Sequence, residues 1–154
     1  MLKEWSDAYR IGIAEIDEQH QGFFDAAHRL YEAIVDFKGK EVVAEVVAFM
    51  RGYAERHFKT EEAFMRRHAY PGLDAHMKEH VAFFLRLEEL EQDLTLIGPS
   101  QGLADRALDI TQDWLIDHIA DEDVLYALHV KAGAPAAGGT VTPLARPAKS
   151  PNDT

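Results

Sequence analysis

Two pairs of potential metal ligands, each spaced by four residues, stand in the middle of the sequence. His57 precedes Glu61 by four positions, and His76 precedes His80 by the same interval. An α-helix turns by about 100° per residue, so side chains four apart lie on one face of it. The intervening Tyr70–Pro71–Gly72 predicts a helix end and a turn. We therefore expect two antiparallel helices that bring four nitrogen and oxygen donors together.

Apolar residues recur with helical spacing in four stretches that are separated by short breaks. The breaks fall at Gly39, at Tyr70–Pro71–Gly72 and at Gly98–Pro99–Ser100. This pattern predicts an all-α protein that folds as an up-down-up-down antiparallel four-helix bundle. Gly98 is expected to end the third helix and Ser100 to cap the start of the fourth.

The ends of the chain differ in character from its middle. Residues 1–16 alternate apolar and polar types around Gly12, which predicts an extended N-terminal arm packed on the bundle. Asp17 is the predicted N-cap of the first helix, and residues 17–132 are the predicted bundle. Residues 133–154 are rich in Pro, Gly and Ala, so we expect a disordered tail that could contact a protein partner.

Composition excludes several classes of site and partner. The 154 residues include no cysteine, which rules out disulfides, zinc-thiolate sites and iron–sulfur clusters. A formal net charge of −11 argues against nucleic acid and anionic membrane surfaces as partners. No apolar run reaches the roughly 18–20 residues of a membrane helix, and the first residues lack the apolar core of a signal peptide. We expect a cytoplasmic monomer without membrane insertion.

Five of the eight histidines fall in register with the apolar helix faces, and together they cover all four helices. A single histidine on such a face is usually a core residue with a hydrogen-bond partner. Burying five imidazoles without partners would cost on the order of 1–3 kcal/mol each, so a compensating group is required. A metal provides this compensation, and a polar network without metal is the alternative. The five are His20, His57, His76, His80 and His118.

The number and type of donors narrow the choice of metal. Two carboxylates, Glu61 and Asp123, join the five imidazoles on the same faces. Seven such side chains exceed what one tetrahedral zinc ion accepts, and they are too rich in nitrogen for calcium or magnesium. They suit two octahedral first-row ions bridged by carboxylates, with iron or manganese as the best fit. The paired Glu-x-x-His motifs of carboxylate-rich di-iron bundles do not occur here.

These residues closely resemble the signatures of the hemerythrin family, in particular its single-domain bacterial members. The resemblance extends from Trp5 to about Val130. It rests on five motifs that occur in the family's order: Ile16–Asp17–x–x–His20, His57–Phe58–x–x–Glu61–Glu62, Tyr70–Pro71, His76–x–x–x–His80 and Trp114–Leu115–x–x–His118–x–x–x–x–Asp123.

The resemblance implies an asymmetric centre of two iron ions joined by an oxo or hydroxo bridge. His76, His80 and His118 would bind one iron, and His20 and His57 the other. Glu61 and Asp123 would bridge both ions. The iron with two histidines would keep one open position, where the resemblance implies reversible binding of dioxygen. No residue of the chain is assigned a catalytic role.

Apolar side chains next to the ligands are the predicted wall of the dioxygen pocket. Their positions one turn from a ligand, or beside it, suggest this role, and ordinary core packing is an equally simple interpretation for any one of them. A wall without acids or bases would withhold the protons that O–O cleavage needs. The residues are Phe23, Phe58, Trp114, Leu115 and Ile119.

His118 and Asp123 are five residues apart, which is about 140° around an ideal helix. Both can face the bundle axis only if the helix is locally wider, so we predict a break or π-type bulge at Ile119–Glu122. Asp121 and Glu122 are expected to face solvent. Glu62 is expected either at the surface or as a hydrogen-bond acceptor for a ligand histidine. The remaining histidines, His28, His68 and His129, are assigned to surface or supporting positions.

Reversible dioxygen binding, for storage, delivery or buffering, is the first functional hypothesis. A second is oxygen or redox sensing through a partner, although the chain has no recognisable signalling domain. A third is a di-iron oxidase, peroxidase or nitric-oxide-handling protein, which would need a proton donor and a substrate channel. A purely structural bundle is the last alternative.

Overall fold

The computed structural model describes residues 1–133, and these form an antiparallel four-helix bundle of up-down-up-down topology, as predicted. A short 3-10 turn precedes the bundle at Asp7–Tyr9. The predicted tail, residues 133–154, lies outside the described residues except for Gly133. The first three helices are α1 (Ala14–Val35), α2 (Lys40–Arg67) and α3 (Leu73–Ile97).

The fourth helix, α4, is continuous but contains two π-helical turns. The second turn, at Ile119–Asp123, confirms the π-type bulge predicted from the spacing of His118 and Asp123. The first turn was not predicted from the sequence. In chain order the segments of α4 are Gln101–Leu108 (α), Asp109–Asp113 (π), Trp114–His118 (α), Ile119–Asp123 (π) and Val124–Lys131 (α).

The connections between helices are short and use the expected capping chemistry at two of the predicted places. Ser100 caps α4, because its hydroxyl accepts a hydrogen bond from the Leu103 N–H at 3.1 Å. Gly98 follows α3 with a φ of 89°, a left-handed conformation that favours glycine. These short links keep consecutive helices adjacent and antiparallel.

Asp17 is not the N-cap of the first helix, so that prediction was wrong. Helix α1 begins at Ala14, and Asp17 lies within its first turn with only 2% of its surface exposed. Its carboxylate turns back instead and accepts hydrogen bonds from the backbone N–H groups of Ile11 (2.8 Å) and Gly12 (3.1 Å). The residue therefore fixes the chain entering the helix.

The N-terminal residues lie against α1 and α4. Trp5 packs edge-on against Phe24 at 5.6 Å between ring centroids, and Tyr9 stacks on the same ring. The Lys3 ammonium donates to Asp113 of α4 at 2.9 Å, and the Lys3 N–H donates to the Gln112 amide oxygen at 2.7 Å. The arm thus ties the first helix to the last.

Apolar side chains fill the bundle around a cluster of polar ones. The largest include Phe23, Phe83 and Leu87, none of which has exposed surface. Among residues 1–133, no helix combines the length and the apolarity that a bilayer crossing requires. Burial of these side chains supplies most of the driving force for the fold.

Replacing Asp17 with alanine should destabilise the protein by about 2 kcal/mol, because the backbone N–H groups of Ile11, which is buried, and of Gly12 would both lose a charged acceptor. The urea midpoint of unfolding, with an unchanged slope, measures this. The matched control is Glu18→Ala, since Glu18 is exposed on the same turn. Equal midpoints for both variants would contradict the role of Asp17.

Candidate metal centre

The structure brings all seven predicted ligand side chains together inside the bundle. Every helix contributes: α1 one imidazole, α2 an imidazole and a carboxylate, α3 two imidazoles, and α4 an imidazole and a carboxylate. None has more than 3% of its surface exposed. The residues are His20, His57, Glu61, His76, His80, His118 and Asp123.

The two carboxylates divide the imidazoles into a group of three and a group of two. One oxygen of Glu61, Oε2, lies 3.0 Å from His80 Nε2 and 3.7 Å from His76 Nε2. Its other oxygen, Oε1, lies 3.6 Å from both His20 Nε2 and His57 Nε2. Glu61 therefore presents one oxygen to each group.

Asp123 repeats this division from the opposite helix. Its Oδ1 lies 3.1 Å from the Nε2 atoms of both His76 and His118. Its Oδ2 lies 3.1 Å from His20 Nε2. We call His76, His80 and His118 with the carboxylate oxygens facing them the three-histidine half, and His20 and His57 with theirs the two-histidine half.

Several polar atoms of this cluster converge without forming hydrogen bonds. Buried atoms without a hydrogen-bond partner within the described residues include His57 Nε2, His80 Nε2, Glu61 Oε2 and both Asp123 oxygens. The donor atoms form two sets that share Glu61, one set in each half, and within each set the atoms lie within 4.8 Å of one another. Unpaired buried groups are rare in native proteins, and they are explained here if each set surrounds a cation. The donor set, rich in imidazole with two carboxylates, fits a pair of first-row transition ions.

The electrostatics of the cluster favour cations. Burial raises the pKa of Glu61, but the surrounding imidazoles outweigh it and hold that pKa well below its ordinary value. The pKa of Asp123 falls to about 2, since His118 and His20 outweigh the opposing effects of burial and Glu61. Both carboxylates are therefore anionic at neutral pH, and they attract positive charge to the cluster.

The pKa values of the imidazoles shift in different directions in the cluster. Burial lowers the pKa of His20, but the adjacent carboxylates of Asp123 and Glu61 favour the charged ring, outweigh burial and raise this pKa to about 9. His76 is raised to about 9 by the same competition. Burial lowers the pKa of His57 to about 4, so this ring is neutral. Protons and metal ions thus compete for His20 and His76, and metal binding would release protons.

Three further side chains support the cluster. Glu62 Oε1 lies 3.1 Å from His80 Nδ1, so of the two positions expected for Glu62 the structure shows the one in contact with a histidine of the cluster. Gln19 Oε1 lies 2.8 Å from His57 Nδ1, and the Tyr126 hydroxyl donates to Glu61 Oε1 at 2.8 Å. The sequence reasoning missed Gln19 and Tyr126; their positions next to His20 and three after Asp123 were the available signals.

Aromatic rings surround the imidazoles. Phe58 stacks on His80 at 3.8 Å between centroids, and Trp114 stacks on His118 at 4.5 Å. Phe23 lies 6.1 Å from the His57 ring. Leu115 and Ile119 are buried in the same core. All five predicted wall residues are therefore in the interior, and contacts with the imidazoles are shown for the three aromatic ones.

The remaining predictions concern residues outside the cluster. His28 contacts the Gln112 amide oxygen at 2.9 Å, and His129 contacts the backbone oxygen of His68 at 3.0 Å. Asp121 is exposed as expected, whereas Glu122 is half-buried. Among residues 1–133, none of these side chains supplies a donor to either half of the cluster.

Comparison with known proteins points to one family. The family model described as "Hemerythrin HHE cation binding domain" matches residues 11–128. A bacteriohemerythrin of Stenotrophomonas maltophilia is 30% identical over 131 residues, covering 85% of this chain and 83% of that relative. One of Clostridium acetobutylicum is 29% identical over 128 residues, covering 79% of this chain and 96% of that relative.

A solved structure of wild-type hemerythrin superposes with a TM-score of 0.70 at 23% identity, covering 84% of this chain and 98% of the other. This similarity shows the shared fold. The family model covers residues 11–128, and the bacteriohemerythrin of Stenotrophomonas maltophilia is 30% identical over 85% of this chain. The protein therefore belongs to the hemerythrin family.

Proposed function

We propose that the protein binds dioxygen reversibly at a non-haem di-iron centre held by the seven clustered side chains. The family description specifies a cation-binding domain, and the relatives are named bacteriohemerythrins. Both support a metal site of this kind. The proposal covers a role in oxygen storage, delivery or buffering.

The division of carboxylate oxygens between the two halves is the observation that carries the proposal. The three-histidine half offers three nitrogens and one oxygen from each carboxylate, and the two-histidine half offers two nitrogens and two such oxygens. With about six positions per octahedral ion, the five donors of the first half would need one more ligand, which a shared oxo or hydroxo bridge would supply. With the same bridge, the four donors of the second half would leave one position for a small ligand.

When bound, the iron pair supplies the electrons that dioxygen takes up reversibly. The chain's own residues set the conditions for this. Five neutral donors and only two carboxylates make the pair less electron-rich than a carboxylate-rich site would. Phe23, Phe58 and Trp114 surround the imidazoles with apolar surface and keep bulk water away.

The interior offers little acid or base chemistry beyond the cluster itself. The other buried polar or charged side chains within residues 1–133 are Asp17, Thr111 and Gln112. Asp17 and Gln112 are engaged with the N-terminal arm, and the Thr111 hydroxyl donates to a backbone oxygen. Tyr126 touches Glu61, but burial and the two carboxylates raise its pKa well above the ordinary value, so it keeps its proton. A site without a ready proton donor favours reversible binding over O–O cleavage.

The iron-loaded protein should show a visible absorption band that appears in air after anaerobic reduction and disappears when argon replaces air. The measurement is a series of spectra over repeated cycles on protein of known iron content. Two irons per chain and a band that returns in each cycle are expected. A single, irreversible change to an oxidised spectrum would contradict reversible binding and would favour an oxidase.

Replacing Glu61 with glutamine should remove both metal ions together, because a neutral amide cannot serve as an anionic bridge between the two halves. Metal analysis of the folded variant, with helicity verified by circular dichroism, measures this. Glu45→Gln is the control, since it makes the same charge change on the exposed part of α2. Retention of one full equivalent of metal would show that Glu61 serves only one half.

Replacing Tyr126 with phenylalanine should weaken metal binding by about tenfold, since Glu61 would lose the hydroxyl that orients its Oε1. Competition with a chelator under argon measures the affinity. Tyr31→Phe is the matched control, because the Tyr31 hydroxyl pairs only with exposed Gln101 among the described residues. An affinity equal to that of the control would exclude an orienting role for Tyr126.

A further inference from the structure

A chain of hydrogen bonds leads from the backbone of α2 to the two-histidine half. The Thr60 hydroxyl lies 3.0 Å from the backbone oxygen of Arg56. The Gln19 amide nitrogen lies 3.2 Å from the Thr60 hydroxyl, and the Gln19 amide oxygen lies 2.8 Å from His57 Nδ1. Gln19 thus crosses from α1 to α2 and connects a surface hydroxyl to a cluster imidazole.

The donors and acceptors in this chain allow a single arrangement. A backbone carbonyl only accepts, so the Thr60 hydroxyl must give its proton to Arg56 and is left as an acceptor. The Gln19 NH₂ group must therefore point at Thr60, which places the Gln19 oxygen toward His57. Because that oxygen only accepts, His57 carries its proton on Nδ1. Its Nε2 lone pair then faces the cluster, where this atom has no other partner.

The backbone of Gln19 is held in place as well. The Tyr53 hydroxyl donates to the Gln19 carbonyl oxygen at 2.8 Å. Gly22, one turn further along α1, makes room for this contact, since a Cβ there would lie 2.0 Å from the Tyr53 hydroxyl. Both ends of Gln19, its carbonyl and its amide, are therefore tied to α2.

The three-histidine half has a different kind of support. His80 Nδ1 faces the carboxylate of Glu62 at 3.1 Å, where His57 Nδ1 faces an amide. A carboxylate acceptor makes the imidazole a stronger electron donor to its metal than a neutral amide does. The hydrogen-bond acceptors therefore differ in charge between the two halves.

We propose that Gln19 is a positioning residue that fixes the tautomer of His57 and, as a neutral acceptor, limits electron donation by that imidazole to the metal of the two-histidine half. This inference rests on the proposed di-iron function and extends it to a residue outside the ligand set. It explains why an amide, oriented by Thr60, stands where a carboxylate would bind the imidazole more strongly.

The test compares three substitutions in the full chain: Gln19→Leu, Gln19→Glu and Thr60→Val. Fe²⁺ affinities are measured for each of the two equivalents by chelator competition under argon, without dioxygen. The two-histidine half offers one nitrogen fewer, so its Fe²⁺ is the more weakly bound equivalent. Gln19→Leu should lower the Fe²⁺ affinity of this equivalent by about tenfold, because His57 loses its partner. Gln19→Glu should strengthen the same equivalent, and Thr60→Val should weaken it less than Gln19→Leu does, because it frees the amide to turn.

The control for charge is Lys59→Gln, which lowers the net charge by one as Gln19→Glu does. Lys59 lies on the same turn of α2 as Thr60, but its exposed ammonium pairs with Glu55 at 2.9 Å. Lys59→Gln should leave the Fe²⁺ affinities of both equivalents unchanged. In parallel, ¹⁵N NMR of the zinc-loaded, diamagnetic protein should show a proton on His57 Nδ1 in the wild type.

The outcomes separate this inference from the function on which it rests. A wild type that binds two Fe²⁺ ions, with Gln19→Leu and Gln19→Glu shifting affinity in opposite directions, supports the inference. The role of Gln19 alone would be overturned if the wild type binds two ions but the Fe²⁺ affinities of both Gln19 variants are unchanged or both are weaker. An equal change in affinity in Lys59→Gln and Gln19→Glu would overturn it as well. A wild type that binds fewer than two ions would overturn the proposed function and this inference together.

Discussion

The structure depends on burying two carboxylates among five imidazoles at the centre of a helix bundle. Removing a carboxylate from water costs several kcal/mol unless opposite charge and hydrogen bonds replace the solvent. Here each of Glu61 and Asp123 is approached by imidazoles on both sides, at distances of 3.0 to 3.7 Å. Because all four helices supply members of this group, their relative heights and rotations are fixed by one cluster. A shift of any helix by one turn would leave a buried charge unpaired.

The part of this arrangement that depends on helical periodicity could be predicted from the sequence. Residues four apart share a helix face whatever the rest of the fold, so His57 with Glu61 and His76 with His80 were placed by spacing alone. Short, well-marked breaks then made neighbouring helices antiparallel, and the four-helix bundle followed. The π turn at Ile119–Asp123 was predictable for the same reason, because a five-residue interval does not fit a regular helix.

Contacts between helices could not be derived in this way, since they depend on side-chain rotamers and on small rotations of each helix. Gln19 stands beside His20 of the cluster, but its sequence position suggests only a surface amide. Its partners on α2 are 38 and 41 positions away in sequence. Tyr126 reads as an apolar core residue until its hydroxyl is seen to reach Glu61. Asp17 resembles an N-cap, yet the arm folds back over it and supplies different donors.

The π turns of α4 show how the backbone serves the cluster. A π turn adds one residue, which rotates everything after it by about 100° relative to a regular helix. After Ile119–Asp123, this rotation brings Asp123 between the two halves and carries Tyr126, three residues later, to the same face. Asp123 and the hydroxyl that donates to Glu61 are thus placed by a single local change. The segment before it stays α-helical, so Trp114 and His118 remain one turn apart with their rings stacked at 4.5 Å. A regular helix over the same residues could keep that stack or the Asp123 contact, but not both.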